Sequence, residues 1–304
     1  MNAAIRAVAR QAIAGEAEVL GIERGFEGLL EDAVRPLRIG DVGGILDRGG
    51  TFLGTARSER MFTEEGLETA VGVLRARGVT GLVVIGGNGS FRAADELHAR
   101  GVKVCGVPAT IDNDVGGTDT CVGFDTALNT IAEAAGKVRD TASSHARTFV
   151  IEVMGRRSGM LALYSGLACG ADRILVPEVP FDIRDVCRTI VAGVERGKRH
   201  SLVVVAEGAA HAMHLAAELS PLCGHQVRAV VLGHVQRGGS PSAFDRILAS
   251  RMSALAVRAL LEGQSGVMAA LRYTSVRTIR LSEGYTAERA LPQELYDLAG
   301  VLAR

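Results

Sequence analysis

The chain has 304 residues, 34 Lys and Arg against 34 Asp and Glu, and no formal net charge. At roughly 150 residues per domain this length suits two domains, with cores large enough to need no disulfide or metal staple. Balanced charge argues against a nucleic-acid or membrane-surface protein, apolar runs such as 202–206 fall far short of the ~20 residues of a membrane helix, and no secretory signal opens the chain, so a cytoplasmic protein is expected.

In chain order, residues 3–14 read as a helix with Asn2 as N-cap and Gly15 just past its end. Residues 18–22 read as a strand. Residues 63–77 are helical, with Glu64 and Glu65 in the first turn and Arg75 and Arg77 in the last, as the helix dipole favours. The apolar run 81–85 ends in Gly86-Gly87, a buried strand entering a turn. A helix over 91–100 and a strand over 102–107 follow, then a helix over about 123–141 and a strand over 148–153. In the second half strands are expected at 173–176, 202–206 and 229–232, with helices around 158–169, 182–196 and 244–261. Near-continuous apolar strands alternating with helices predict an α/β fold, two doubly wound α/β/α sandwich domains with mostly parallel sheets. The 38 glycines beside only 7 prolines point to tight turns and close backbone approaches rather than disorder.

Ligands of such sheets bind at the carboxyl ends of the strands. Five loops follow predicted strands directly: Gly86 to Ser90, Thr110 to Asp114, Met154 to Arg156, Glu207, and Gly233 to Ser240. The first has glycines and a helix behind it, which suits a phosphate, although it matches neither the dinucleotide nor the P-loop pattern and also reads as a plain turn. Asp112 and Asp114 flank Asn113. One could take a proton from a substrate hydroxyl while the other orients a metal or guanidinium, or both could be solvated acids of an Asx-turn. Arg147, Arg156, Arg228 and Arg237, with His234, lie near strand ends without aromatic platforms, which suggests a site for a small phosphorylated metabolite, although a lone arginine also reads as a surface salt-bridge partner. The five cysteines contain no CxxC pair and read as idle thiols. His211 and His214, near His225, read as a solvated helix face.

Together Gly87-Asn88-Gly89-Ser90, Pro108-Ala109-Thr110-Ile111-Asp112-Asn113-Asp114, Glu152-Val153-Met154-Gly155-Arg156 and Gly233-His234-Val235-Gln236-Arg237-Gly238-Gly239-Ser240-Pro241 resemble the bacterial 6-phosphofructokinases, in order and spacing, from Met1 to about Leu261. Beyond Gly263 the match fades. The resemblance implies phosphoryl transfer from ATP, with Mg²⁺, to the 1-hydroxyl of fructose 6-phosphate. It makes Asp112 the general base with Thr110 beside it, Arg156 the stabiliser of transferring charge, and Asp114 a support of the base and metal. Met154, Gly155 and Glu207 would meet the sugar, and His234 and Arg237 the 6-phosphate, joined by Arg147 and Arg228 from a neighbouring subunit of a homo-oligomer, usually a tetramer. Arg57, Gly87, Asn88, Gly89 and Ser90 would face the nucleotide, and Arg6, Arg10, Arg139, Asp172, Arg196, Lys198 and His200 match an allosteric effector site. Residues 1–123 with about 236–285 would bind nucleotide, and 124–235 with about 286–304 the sugar phosphate. Gly89 and Ala109 stand where pyrophosphate-dependent members carry Asp and Lys, which favours ATP.

Three departures qualify this. Asn88 replaces a metal-associated Asp, a weaker ligand for a hard cation, and Asp172 stands where Glu is usual. The family's first strand and Gly-Gly-Asp-x-Pro-Gly loop are expected ahead of Met1. An alternative reading is therefore a catalytically impaired sugar-phosphate-binding or regulatory paralogue.

Overall fold

The computed structural model describes residues 1–145, 147–287 and 289–303. The chain divides into two compact units, one of Met1–Thr110, Asp114–Gly123 and Ser240–Arg289, the other of Ile111–Asn113, Phe124–Gly239 and Ala290–Arg304. Residues 236–239 thus fold with the second unit.

The first unit opens with α1 (Asn2–Ala14), β1 (Leu20–Ile22), α2 (Gly25–Leu30) and β2 (Val34–Pro36), in which β1 and β2 pair antiparallel. Asn2 is not the N-cap expected from its type. It lies inside the first turn, buried, with its Nδ2 donating to the Arg48 and Gly49 carbonyls (both 3.1 Å) and its Oδ1 accepting from the Phe52 amide. A residue type suited to capping a helix here pins a distant loop. Then come α3 (Glu64–Ala76), capped by the Thr63 hydroxyl, β3 (Leu82–Gly86), α4 (Asn88–Ala99) and β4 (Val104–Pro108). The unit is completed by α9 (Ala243–Leu261), a hairpin of β9 (Val267–Arg272) and β10 (Ser275–Arg280), and the short α10 (Glu283–Thr286). The sheet order is β10-β9-β4-β3, parallel except for β10. Strand periodicity divides it into two cores: Leu82, Val84, Val104 and Met268 face one side, while Val83, Cys105, Val107 and Ala269 face α1 and α9 on the other.

The second unit holds α5 (Phe124–His145), β5 (Thr148–Val153), α6 (Met160–Ala168), β6 (Arg173–Leu175), α7 (Ile183–Glu195), β7 (Ser201–Ala206), α8 (Ala212–Cys223), β8 (Val227–Val231) and α11 (Gln293–Leu302). Its sheet, β6-β7-β5-β8, is wholly parallel. Phe149, Ile151, Leu202 and Val204 pack under α5 and α6, while Val150, Val203 and Val205 pack under α7 and α8. Both faces are covered, so these strands read as unbroken apolar runs instead of alternating. Among the described residues no helix is long and apolar enough to cross a membrane.

Candidate active site

In the first unit, β3 runs through Gly87 directly into α4, which begins at Asn88. The expected helix start at 91 is therefore three residues late, and Asn88, Gly89 and Ser90 form the first turn. Their amides have no intrahelical acceptors, the arrangement that favours an anion. A Cβ at Gly86, the last residue of β3, would lie 2.4 Å from the Ser90 hydroxyl and 2.7 Å from its Cβ, so that position is tight, whereas a Cβ at Gly89 would meet nothing within 4 Å. Asn88 donates its Nδ2 to Asp114 Oδ2 (3.0 Å) and to the Asp114 carbonyl (3.3 Å). Its Oδ1 is shielded from solvent and has no protein partner. Burial, the larger influence, raises the Asp114 carboxyl above its ordinary range, opposed by its own backbone amide, by Asn88 and by the Arg289 charge. Arg289 also donates to the carbonyls of Thr118 and Asp119, so a residue past the end of the recognisable motifs braces this loop.

Thr110 closes the first unit's share of the next loop, and Ile111–Asn113 belong to the second. Asn113, 1 % exposed, adopts φ +52, a left-handed conformation that Asn tolerates better than other side chains. The chain therefore turns between the two acids, leaving Asp112 with one unit and Asp114 with the other. Ser158 Oγ donates to the Asp112 carbonyl (2.9 Å), tying that segment to the turn after β5.

In the second unit the carboxyl edge of the sheet gathers Met154, Gly155 and Arg156 from the end of β5 with Glu207 from the end of β7. The Glu207 amide donates to the Val153 carbonyl (2.8 Å) and the Gly208 amide to that of Gly155 (3.2 Å). Gly155 has φ +122, and a Cβ there would strike the Ser158 carbonyl at 2.3 Å. A Cβ on Gly208 would lie 2.0 Å from the Arg156 carbonyl oxygen. Gly155 thus lets the turn after β5 fold back on itself, and Gly208 lets the Arg156 turn and the Glu207 turn touch through their backbones. His234 and Arg237 sit, exposed, on the 3-10 turn Gly233–Arg237 beyond β8. Gln236, 1 % exposed, locks this turn to β5: its Oε1 accepts from the Met154 amide (3.1 Å) and its Nε2 donates to the Gly233 carbonyl (2.9 Å). Residue type gave no hint of this role; only its place inside the 233–241 motif did.

Arg147 and Arg228 do not join this cluster within one chain. Phe149 pairs with Arg228 and Arg147 precedes β5, so both lie toward the amino ends of the strands, about 17–23 Å of strand away from Met154. Of the expected effector residues, Lys198 donates to Asp172 Oδ1 (2.6 Å) and to the Ala303 carbonyl (3.0 Å), while Asp172 Oδ2 accepts from the Leu202 amide (2.8 Å). Arg196 ends α7 and His200 precedes β7, with Arg139 on α5 of the same unit; Arg6 and Arg10 lie on α1 of the first. Arg57 is exposed in the loop before Arg60. His211 precedes α8 beside Glu152 (3.7 Å), His214 packs edge-on against it, and His225 is instead held by Thr148 (2.9 Å). Among the described residues, no three His, Cys, Asp or Glu side chains gather as a metal-ligand set.

A family model described as phosphofructokinase matches residues 1–260. The ATP-dependent 6-phosphofructokinase of Listeria welshimeri is 50 % identical over 303 residues, covering 100 % of this chain and 95 % of that one. That of Halalkalibacterium halodurans is 49 % identical with the same coverage. Among solved structures, phosphofructokinase from Saccharomyces cerevisiae superposes with a TM-score of 0.88 at 34 % identity, over 100 % of this chain and 46 % of the yeast chain. The pyrophosphate-dependent phosphofructokinase from Marinobacter aquaeolei gives 0.86 at 26 % identity, over 96 % of this chain and 82 % of that one. With a parallel sheet in each unit and these loops at the strand ends, the chain belongs to the phosphofructokinase family.

Proposed function

We propose that this chain transfers the γ-phosphoryl group of ATP to the 1-hydroxyl of fructose 6-phosphate, giving fructose 1,6-bisphosphate and ADP. The observation that supports the reading is the backbone contact of the Arg156 and Glu207 turns, which brings a cationic and an acidic residue to the same strand ends. In this mechanism Asp112 accepts the proton of the 1-hydroxyl as the oxygen attacks the γ-phosphorus, with Thr110 beside it. The bond from that phosphorus to the β-phosphate oxygen breaks, and ADP departs. Arg156 stabilises the charge on the transferring group, because positioning and electrostatics dominate phosphoryl transfer. Met154, Gly155 and Glu207 bind the sugar, and His234 and Arg237 bind its 6-phosphate. Arg57 and Gly87, with the amides of Asn88 to Ser90, take the nucleotide phosphates, and the open space over Gly89 supports ATP over pyrophosphate.

The unpartnered Asn88 Oδ1 beside the Asp114 carboxylate offers oxygen ligands suited to Mg²⁺. These two residues would hold the ion, which when bound with ATP neutralises phosphate charge. Arg147 and Arg228 act on a neighbouring subunit's sugar phosphate, and the exposed Val231 and Val235 near the β8 edge support a homo-oligomer, a tetramer by family resemblance. Arg6, Arg10, Arg139, Asp172, Arg196, Lys198 and His200 form an effector site, and the protein works in the cytoplasm. The relatives that match the whole chain carry the name of ATP-dependent enzymes, which speaks against an impaired paralogue. A coupled assay of fructose 1,6-bisphosphate formation from fructose 6-phosphate, run in parallel with ATP and with pyrophosphate as donor, tests the reading. Turnover with ATP is expected; turnover with pyrophosphate alone, or with neither, overturns it.

A further inference from the structure

The proposed phosphoryl transfer uses none of the five cysteines. Two of them stand together in the second unit: Cys187 on α7 and Cys223, the last residue of α8, bring their sulfur atoms to 2.7 Å. A disulfide bond is about 2.05 Å long, so about 0.65 Å of approach separates this contact from a covalent bond. Both residues belong to the core packed under α7 and α8, where Val186, Ile190, Leu215 and Leu219 hold the helices in place. Cys223 can give way most easily, because α8 ends there and the next residue, Gly224, turns into the left-handed region at φ +69. Cys187 is buried while Cys223 is partly exposed, so one sulfur meets solvent and the other waits behind it.

We infer that Cys187 and Cys223 are a redox-modification site, oxidised reversibly to a disulfide by a hydroperoxide or by a small-molecule disulfide. With a hydroperoxide, the Cys223 thiolate attacks one peroxide oxygen. An S–O bond forms, the O–O bond breaks, and an alcohol or water leaves with the proton. The Cys187 sulfur then attacks Cys223, forming the S–S bond and expelling the sulfenic oxygen as water, which carries off the Cys187 proton. Two electrons pass from the two sulfurs to the peroxide. With a small disulfide, Cys223 attacks one sulfur and releases a thiol, and Cys187 then displaces the second thiol. A dithiol reverses either route.

The environment makes the site slow. Burial, and next the hydrogen bond that the Cys223 thiol donates to the Cys187 sulfur, push the Cys223 thiol up to about 12, so little thiolate exists at neutral pH. The pair stays reduced through brief exposure and responds to sustained oxidant. Once formed, the bond closes a loop over residues 188–222 that carries β7, Lys198 and Glu207.

The test uses the full chain, incubated with hydrogen peroxide or oxidised glutathione, then denatured and titrated for thiols. The expected result is a fall from five free thiols to three, restored by dithiothreitol, with peptide mapping that links Cys187 to Cys223. The melting temperature of the oxidised chain should rise by roughly 5–10 °C. Cys223→Ser should keep its remaining thiols under the same treatment. Five thiols after prolonged oxidation, a bond between other cysteines, cross-linked chains, or sulfinic acid without a disulfide would each overturn the inference. The wild-type titration decides it even if a variant fails to fold.

Discussion

Replacing Gly208 by alanine tests whether the contact between two strand-end turns serves catalysis. The new Cβ would lie 2.0 Å from the Arg156 carbonyl oxygen, 2.7 Å from its carbonyl carbon and 2.9 Å from the Gly155 oxygen. All three are backbone atoms, and no rotamer change relieves them. Since a Cβ contact under 3.0 Å is essentially never seen, the Arg156 turn must open by about 1 Å. Misplacing a catalytic group by that distance costs about a hundredfold in rate, or ~2.7 kcal/mol of transition-state stabilisation. The overpacking itself should lower stability by about 1–3 kcal/mol, small enough for a chain of this size to stay folded. The two effects separate in the assay. Urea unfolding reports the stability loss, and steady-state kinetics on the folded variant report kcat and kcat/KM. If Arg156 acts mainly in the transition state, both kinetic parameters fall together. A folded Gly208→Ala chain whose kcat/KM stays within about threefold of wild type would refute the reasoning.

Gly89→Ala should behave in the opposite way. Its Cβ meets nothing, so stability should hold or rise by about 0.5–1 kcal/mol, while the KM for ATP rises at least about tenfold; an unchanged KM sinks the phosphate reading of that turn. Gln236→Ala leaves the Met154 amide and the Gly233 carbonyl unpaired, at about 1–3 kcal/mol for each buried group. The KM for fructose 6-phosphate should rise more than that for ATP, and equal changes in both would count against a positioning role. For Asp114, the folded pKa lies above the ordinary 3.8, so the native chain binds more protons than the unfolded one between those values and stability falls as pH rises through them. Asp114→Asn should therefore be more stable than wild type at neutral pH, with the gap closing toward about pH 4 and below; a gap that widens on acidification in urea titrations contradicts the assignment.

The strands of the second unit were legible because burial on both faces writes a continuous apolar run: 148–153 was expected and Thr148–Val153 is observed. The helices expected from 63 and 182 start one residue later, because Thr63 and Asp182 are their caps, with side chains that accept amide hydrogen bonds. Local signals failed where a tertiary contact claims the residue. Asn2 carries the signature of an N-cap yet spends its amide on the loop at 48–52. The first turn of α4 was read as loop because its glycines weaken helix propensity, while the strand before it fixes the start. The hairpin of β9 and β10 was missed, since Ser275 to Arg280 is half-exposed and charged and joins the sheet only through β9. The reactive types at the candidate site were found because carboxylates, arginines and glycines at strand ends stand out chemically. Different roles for Asp112 and Asp114 were expected, but the left-handed turn at Asn113 between them was not.

The residues that a chemist would choose and the residues that make the geometry are therefore different sets. Asp112, Arg156, Glu207 and His234 have the charges and donors that phosphoryl transfer uses, while other residues shape the turns that carry them. Gly208 allows two backbones closer than any side chain permits, Gly155 lets its own turn close, Asn113 turns the chain between two acids, and buried Gln236 spends its amide group holding a turn to a strand. These have no reactive group, and their contributions appear only once burial and backbone angles are known. Conservative changes at this silent set should accordingly cost activity before they cost the fold. A substitution that keeps charge and polarity but adds one methyl group, as at Gly208, moves the reacting groups while leaving every one of them present.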